Sequence, residues 1–323
     1  MTRIALVGAG AVAQRHVDVL RGLHGVEVVS VADPAQAAAS SLASSCGARA
    51  FTSAEESLDA VSADAVYICV PPFAHGPPEV AALDRGLPIF VEKPLAIDLP
   101  TAVALADRVA AADVVTGTGY HWRCLDTLDR ARDLLCETPP LLAMGYWLDK
   151  RPPVGWWGRR DRSGGQVVEQ LTHVLDLARV LLGEAEAVYA VGALDDTGPP
   201  QGGEADDIEA ATAATVQFAS GAVATLAATS LLSAKRAAGL DIFGRGRTLE
   251  LSEVALIVDD GATRVEHTPS VDAKTLVDAE FIAAVRGERE STRAPYAEVL
   301  GTHRLACALT ESVATGRPTR IVS

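Results

Sequence analysis

The chain has 323 residues, 49% of them hydrophobic and 22% charged, with a formal net charge of −14. This length and composition fit an ordinary globular protein of about two domains. The acidic balance argues against nucleic acid and anionic membranes as partners, and no apolar run approaches the roughly 18 residues of a membrane span. Five scattered cysteines without a C-x-x-C pair, and an N-terminal apolar run too short for a signal peptide, predict a cytoplasmic protein.

The first 120 residues alternate strand and helix patterns. Apolar runs predict strands at 3–7, 26–32, 63–70, 87–92 and 113–120. Helical patterns lie between them at 11–22, 34–45, 53–62 and 99–111. Continuous apolar strands separated by helices predict a doubly wound parallel sheet covered on both faces, and we assign this α/β domain to residues 1–122.

After residue 122 the pattern changes. A helix at about 124–135 and a strand at 141–148 precede a basic loop at 150–162 and a helix that follows a glycine pair. Long strands with turn signals, a loop at 196–207 and a hairpin-like run at 247–267 fill residues 185–267, and helices at about 272–286 and 296–315 follow. We predict an α+β domain over residues 123–323 with an open, mostly antiparallel sheet, whose last helix can pack back on the first domain.

The stretch "VGAGAVA" follows the first strand and opens the first helix. Gly8, Gly10 and Ala13 have the spacing G-x-G-x-x-A, which allows a tight turn, close approach of a pyrophosphate to the backbone, and close helix–strand packing. Ala11 and Val12 begin the helix, where backbone N–H groups can bind phosphate. The alternative is an ordinary turn between strand and helix.

An acid at the end of the second strand favours the cofactor interpretation of this turn. Asp33 lies 20 residues beyond Ala13, where a carboxylate can bind both ribose hydroxyls and would repel a 2′-phosphate. The next three residues, 34–36, supply no arginine. The sequence therefore predicts NAD as cofactor, with NADP less favoured.

Two further strand ends carry polar or rigid residues. Ligands of open parallel sheets bind at the carboxyl ends of strands. The residues that we assign to the cofactor site on this ground are Val70, Pro71, Pro72, His75, Glu92 and Lys93. The alternatives are a rigid proline turn without a ligand and, for the lysine, a solvated side chain.

The helix after the glycine pair is apolar on most sides but has one polar edge. At 100° per residue, Glu169, His173 and Asp176 fall within an arc of roughly 60°. Histidine suits a general base because its pKa lies near working pH. The alternative is a core histidine. Glu169 could orient the imidazole or bind a neighbouring sugar hydroxyl, which makes it a candidate catalytic residue, and Asp176 could orient the imidazole from the other side or, as we favour, pair with Arg179. Glu169 and His173 have the i, i+4 spacing of two metal ligands, but a third ligand is not evident, so we predict no metal site.

Aromatic and basic residues flank this helix in sequence. Trp156 and Trp157 could stack on the C–H face of a sugar, or pack in the core. His121 and Arg123 lie at the expected domain junction, where substrate clefts form.

Taken in order, the glycine turn, the acid after the second strand, "PP", "EKP" and "SGG…E…TH..D" resemble the glucose–fructose oxidoreductase/inositol dehydrogenase (Gfo/Idh/MocA) family. The resemblance implies a Rossmann domain, a substrate domain on an open sheet, and oxidoreduction of pyranoses or cyclitols. It implies that Lys93 is the catalytic lysine and His173 the catalytic histidine. Glu169 stands where most members carry Asp, and His121, two residues before Arg123, stands where many carry Asn.

We therefore expect an NAD-dependent dehydrogenase for a secondary hydroxyl of a sugar, amino sugar or cyclitol. His173 would act as general base, or as acid in reduction, and Lys93 would stabilise the alkoxide. Two alternatives stay open: a glycosidase or epimerase that uses NAD transiently, and a nucleotide-sensing regulator without turnover. The open sheet would suit a homodimer or homotetramer.

Overall fold

The computed structural model describes residues 1–195 and 206–321. The chain packs into two units, one formed by residues 1–121 and 273–300, the other by residues 122–272 and the chain from residue 301 onward. The domain boundary at 122/123 stays a prediction, and residues 196–205 of the predicted loop lie outside the described residues. Among the described residues, no helix has the length and apolar character that crossing a membrane requires.

The first unit contains a parallel sheet of six strands in the order β3-β2-β1-β4-β5-β6. This is the doubly wound order, in which the chain direction across the sheet reverses between β1 and β4. Its elements are β1 (Thr2–Val7), α1 (Ala11–Gly22), β2 (Val26–Ala32), α2 (Gln36–Cys46), β3 (Arg49–Phe51), α3 (Ala54–Ala60), β4 (Ala65–Ile68), α4 (Pro77–Leu83), β5 (Ile89–Val91), α5 (Leu99–Ala112) and β6 (Thr116–Thr118). The predicted α/β fold is confirmed.

The second unit contains a nine-stranded sheet in the order β14-β13-β12-β11-β7-β10-β9-β8-β15. Of its strand pairs only β7–β10 is parallel among the described residues, so the expected mostly antiparallel sheet is confirmed. Its elements are α6 (Asp126–Glu137), β7 (Leu142–Leu148), α7 (Arg160–Ser163), α8 (Thr172–Leu182), β8 (Ala185–Ala193), β9 (Ala211–Phe218), β10 (Val223–Thr229), β11 (Ala237–Gly244), β12 (Arg247–Leu251), β13 (Leu256–Asp259), β14 (Arg264–His267) and β15 (Thr319–Arg320). The last two helices of the chain are α9 (Ala273–Val285) and α10 (Tyr296–Thr315).

The structure departs from the sequence prediction at several elements, among them the short α7 and β15, which were not predicted. Strand β3 has three residues, too few for a periodic pattern, and helix α4 was missed because it begins with Pro77 and Pro78, which resemble a loop. Proline is compatible with the first turn of a helix because its missing N–H has no intrahelical partner there. The run 247–267 forms three strands, not one hairpin, because Asp260 Oδ1 accepts the Ala262 and Thr263 amides in a turn that separates β13 from β14.

A buried charge network ties the returning helix α9 to the Rossmann sheet. His16 of α1 is fully buried, and its Nδ1 lies 2.7 Å from Asp278 Oδ1 of α9. Its Nε2 lies 3.0 Å from Glu92 Oε1, at the end of β5. Burial lowers the pKa of His16, but the two carboxylates outweigh it and raise the pKa to about 9. The network therefore holds a protonated imidazole between two acids at neutral pH.

This network makes stability depend on pH in a defined direction. Because the folded-state pKa of His16 exceeds the unfolded value of about 6.5, its stabilisation is complete below pH 6.5 and disappears as pH rises through about 9. We expect His16→Gln to lower the free energy of unfolding at pH 6.5, and its gap from wild type to narrow by about 3 kcal/mol towards pH 9.5. Urea titrations across this range measure the gap. The exposed His24, changed to Gln, is the control, and a gap that widens with pH would contradict the assignment.

Candidate active site

The turn after β1 brings the backbone closest to the neighbouring strand end. Gly8 has φ +96°, and a Cβ there would lie 2.3 Å from the Cys69 carbonyl oxygen, so a side chain does not fit. Gly10 caps α1, and nothing lies within 4 Å of where its Cβ would be. Ala11 and Val12 are exposed at the start of the helix. The turn thus leaves an open cradle of backbone at a helix N-terminus, a shape that fits a pyrophosphate.

Asp33 borders this turn and holds its backbone. Its Oδ2 accepts the Ala9 amide at 2.9 Å and its Oδ1 accepts the Ala35 amide at 2.8 Å. The carboxylate is only partly buried, and each oxygen keeps a second acceptor site. Asp33 therefore has a structural role that the sequence did not suggest, and it retains the capacity to accept from ribose hydroxyls.

The segment after β4 is more enclosed than the sequence suggested. Val70 and Pro71 are half-buried, and Pro72 is buried in a 3-10 turn. The His75 imidazole is also buried, with Nδ1 2.6 Å from Oε1 of Glu79, an acid on the missed helix α4. The His75 Nε2 atom has no hydrogen-bond partner within the described part of the chain.

Glu92 and Lys93 lie side by side after β5 but in different surroundings. The Glu92 carboxylate is buried and accepts from Arg15 at 2.8 Å as well as contacting His16. Burial raises the pKa of Glu92, but its hydrogen bond to His16 and the charges of His16 and Arg15 outweigh this and hold the pKa far below its usual range. The Lys93 amide donates to Glu92 Oε2 at 3.0 Å, and the lysine itself is half-buried. The network thereby fixes the backbone from which the Lys93 side chain extends.

His121 is the last residue of the N-terminal segment of the first unit, and its imidazole is buried. Its Nδ1 lies 3.3 Å from the carbonyl oxygen of Gly119, just after β6. In the first unit, the predicted residues after β1, β2, β4 and β5 thus all follow the carboxyl ends of parallel strands, the edge at which such sheets bind ligands.

In the second unit, helix α8 carries His173 against two tryptophans. The His173 imidazole is 5% exposed and lies nearly parallel to the indoles of Trp122, at 5.6 Å and 20°, and Trp147, at 5.8 Å and 23°. Trp147 was not singled out from the sequence; its alternation with Ala143 and Gly145, the buried positions of β7, was the available signal. A Cβ at Gly145 would lie 2.7 Å from Val174, so glycine allows α8 to approach the sheet.

Glu169 lies in a π-helical turn, Val167–Leu171, not in the regular α-helix expected from sequence. A π-turn holds more residues than an α-turn, so the 100° spacing assumed for the polar edge fails before His173. The indole N–H of Trp157 donates to Glu169 Oε2 at 3.0 Å. Trp157 is 1% exposed, so it supports Glu169 from within the core, whereas Trp156 is half-buried.

Arg123 is also buried, and it binds α8, the helix that carries His173. Its Nε and Nη2 donate to the two carboxylate oxygens of Asp176, both at 2.7 Å, and Thr302 Oγ1 donates to the same carboxylate. Arg179 makes its ion pair with Glu184. The expected pairing of Asp176 with Arg179 is therefore wrong, because a fully buried arginine 53 residues away in sequence supplies a bidentate partner. No group of His, Cys, Asp and Glu suited to a metal ion occurs among the residues that the structure describes.

Two family profiles match the chain. Residues 2–120 match "Oxidoreductase family, NAD-binding Rossmann fold", and residues 140–250 match the Gfo/Idh/MocA C-terminal domain. Among curated relatives, an inositol 2-dehydrogenase of Corynebacterium glutamicum is 41% identical over 95 residues, 29% of this chain and 28% of that protein. The rhizopine catabolism protein MocA of Rhizobium meliloti is 30% identical over 193 residues, 58% of this chain and 60% of that protein.

The aligned region thus spans less than a third of the first of these relatives and about three fifths of the second. A solved structure of levoglucosan dehydrogenase with NADH superimposes with a TM-score of 0.90 at 20% identity, covering 100% of this chain and 99% of that one, which is a likeness of fold. With both domain profiles of one family matched in order, the chain belongs to the Gfo/Idh/MocA oxidoreductase family and carries its NAD-binding Rossmann domain.

Proposed function

We propose that the protein is an NAD-dependent oxidoreductase that oxidises a secondary hydroxyl of a sugar, amino sugar or cyclitol, or reduces the matching ketone. The observation that carries the proposal is the glycine turn bordered by Asp33 within a domain of this NAD-binding family. The names of the similar proteins, an inositol and a levoglucosan dehydrogenase, support this substrate class.

The cofactor would be held at the strand ends of the first unit. The open backbone from Gly8 to Val12 would bind the pyrophosphate, and Asp33 would accept from the ribose hydroxyls. A 2′-phosphate would meet the Asp33 carboxylate without a neighbouring arginine in residues 34–36, which favours NAD over NADP. The segments 70–75 and 92–93 would flank the nicotinamide, and bound NAD supplies the hydride acceptor.

Two side chains would act on the reacting hydroxyl, one on its proton and the other on the negative charge that forms on its oxygen. His173 takes this proton as general base in oxidation and returns it in reduction. The Lys93 ammonium stabilises negative charge on the same oxygen, and its backbone is fixed by Glu92. Glu169 accepts a neighbouring substrate hydroxyl, with Trp157 holding one of its oxygens.

The remaining residues predicted to bind substrate divide by burial. Half-buried Trp156 keeps a surface for a sugar, and His121 stays a predicted substrate contact. Arg123 and Trp157 are buried, with hydrogen bonds to Asp176 and Glu169. We therefore propose that these two residues position the helix segment 167–182 and affect substrate only through it.

We propose that the exposed face of the nine-stranded sheet forms a homodimer or homotetramer. The strand register aligns Met144 with Thr225, Thr215 and Tyr189, so these residues share one face. Met144 is 48% and Tyr189 43% exposed, and Val191 on the same strand as Tyr189 is 50% exposed. Apolar side chains in such a row favour burial against another copy.

The cofactor assignment predicts a specific effect of Asp33→Ala. Loss of a charged acceptor should raise the Kd for NAD roughly 10- to 100-fold. Because repulsion of a 2′-phosphate is lost as well, the ratio of NADP to NAD affinity should rise, which loosening of the turn alone would not produce. Calorimetry with both nucleotides measures this. Glu27→Ala is the control, because Glu27 is an exposed acid on β2, the strand that ends just before Asp33. An unchanged Kd for NAD in Asp33→Ala would refute the assignment.

The catalytic assignment predicts the consequences of His173→Ala. Loss of a general base should lower kcat by about 100- to 10,000-fold, while the Kd for NAD stays the same. NADH absorbance and NAD titration measure the two quantities. His267→Ala, in the same unit on β14, should leave both unchanged, and a kcat close to wild type in His173→Ala would remove the base from the mechanism.

The oligomer proposal predicts that Met144→Lys dissociates the assembly. A charge in the middle of an apolar face costs several kcal/mol when buried without a partner. Light scattering coupled to size exclusion should show a mass that falls towards that of one chain. Val254→Lys, at an exposed loop position, is the control. A monomeric wild type would contradict the proposal.

A further inference from the structure

A lysine on the loop between β10 and β11 lies next to Trp147, one of the two tryptophans that pack against His173. Lys235 is exposed, and its Nζ lies 4.3 Å from the ring centroid of Trp147. At this distance the negative face of an indole attracts an ammonium group. The contact restricts a side chain that would otherwise sample many rotamers, so less entropy is lost when the ammonium binds a ligand.

The same indole links Lys235 to the proposed base. Trp147 lies 5.8 Å from the His173 imidazole, centroid to centroid. The ammonium therefore cannot be farther from the imidazole than this distance and 4.3 Å laid end to end. Two hydrogen bonds of about 2.8 Å and part of a sugar ring would cover even this upper limit. The separation of the ammonium and the imidazole therefore lies within the reach of one sugar that carries a second polar group.

Four arginines of the basic loop 150–162 are paired with acids, whereas Lys235, like Lys150 and Arg236, has no ion pair among the described residues. Arg151 pairs with Asp206 at 2.8 Å, and Arg160 pairs with Glu209 at 2.7 Å. Arg159 and Arg162 both lie within 4 Å of Asp161. Lys235 forms no ion pair with any residue in 1–195 or 206–321, and its ring contact is the interaction that positions it. In a chain of net charge −14, such a cation beside the site is a means of attracting an anion.

We infer that Lys235 selects substrates that carry an anionic group, a carboxylate or a phosphate, near the hydroxyl that is oxidised. The inference rests on the proposed function and narrows it from sugars and cyclitols in general to their acidic derivatives. Lys235 acts in binding, through a charge-assisted hydrogen bond, and has no part in proton or hydride transfer.

The test uses matched substrates on the whole enzyme with NAD. Three sets of compounds are compared, and within each set the members differ at the position of the anionic group. The sets are glucose, glucuronate and glucose 6-phosphate; the same three compounds of the galacto series; and inositol with its phosphate. NADH formation is followed for wild type, Lys235→Ala and Lys235→Arg. Lys150→Ala is the control, because Lys150 is an exposed lysine whose backbone pairs with Leu231 of the same loop.

For wild type, we expect kcat/KM for an acidic compound to exceed that for the neutral compound of the same set at least tenfold. Whether the uronate or the phosphate is preferred shows which anionic group Lys235 binds. Lys235→Ala should abolish this preference through KM, with activity on the neutral compound unchanged, and Lys235→Arg should retain most of it. Equal or better use of neutral compounds, with a ratio unaffected by Lys235→Ala, overturns the inference and leaves the proposed function standing. NADH from no compound overturns both.

Discussion

The arrangement of the first unit depends on the hydrogen bonds of the buried Glu92 carboxylate. This carboxylate joins α1, through Arg15 and His16, to the backbone of Lys93 after β5, and His16 extends the connection to Asp278 of α9. A buried carboxylate is costly unless it is paired and hydrogen-bonded, and here each of its oxygens accepts from the protein. The residue expected to contact cofactor thus also orients the lysine expected to contact substrate.

The second unit also contains a buried, hydrogen-bonded carboxylate, here paired with an arginine. Arg123 and Asp176 are both buried, and their bidentate contact fixes the helix that carries His173. Trp157 fixes Glu169 in the π-turn, and two indoles that stack on each other both pack against the imidazole. In both units, residues inside the core thus fix the elements that carry the side chains proposed to act in catalysis. Activity lost on changing such a core residue is therefore not by itself evidence that it touches substrate.

Much of this arrangement could be predicted from the sequence because its signals are local. Strand β2 and helix α1 have the predicted bounds, and the G-x-G-x-x-A turn lies where expected, since periodicity and glycine placement act over a few residues. The partners of buried polar groups could not be predicted. Asp278 lies 262 residues from His16, and Arg123 lies 53 from Asp176, and no local pattern records such a pairing.

The π-turn at 167–171 shows most clearly what hydrophobic periodicity cannot predict. A hydrophobic period assumes one helical geometry, so it placed Glu169 and His173 on a regular face and gave no sign of the wider turn. Lys235 had no signal at all, because a lysine in a polar loop is normally solvated, and only the position of Trp147 across the strands gives it meaning.

In the proposed reaction, hydride passes directly from a carbinol carbon of the substrate to NAD. The most direct measurement supplies the best substrate of the matched panel with deuterium on its ring carbons and determines the mass of the NADH formed. Direct transfer should give NADH that carries one deuterium from the substrate. Unlabelled NADH, or deuterium released to water without NADH, would contradict it.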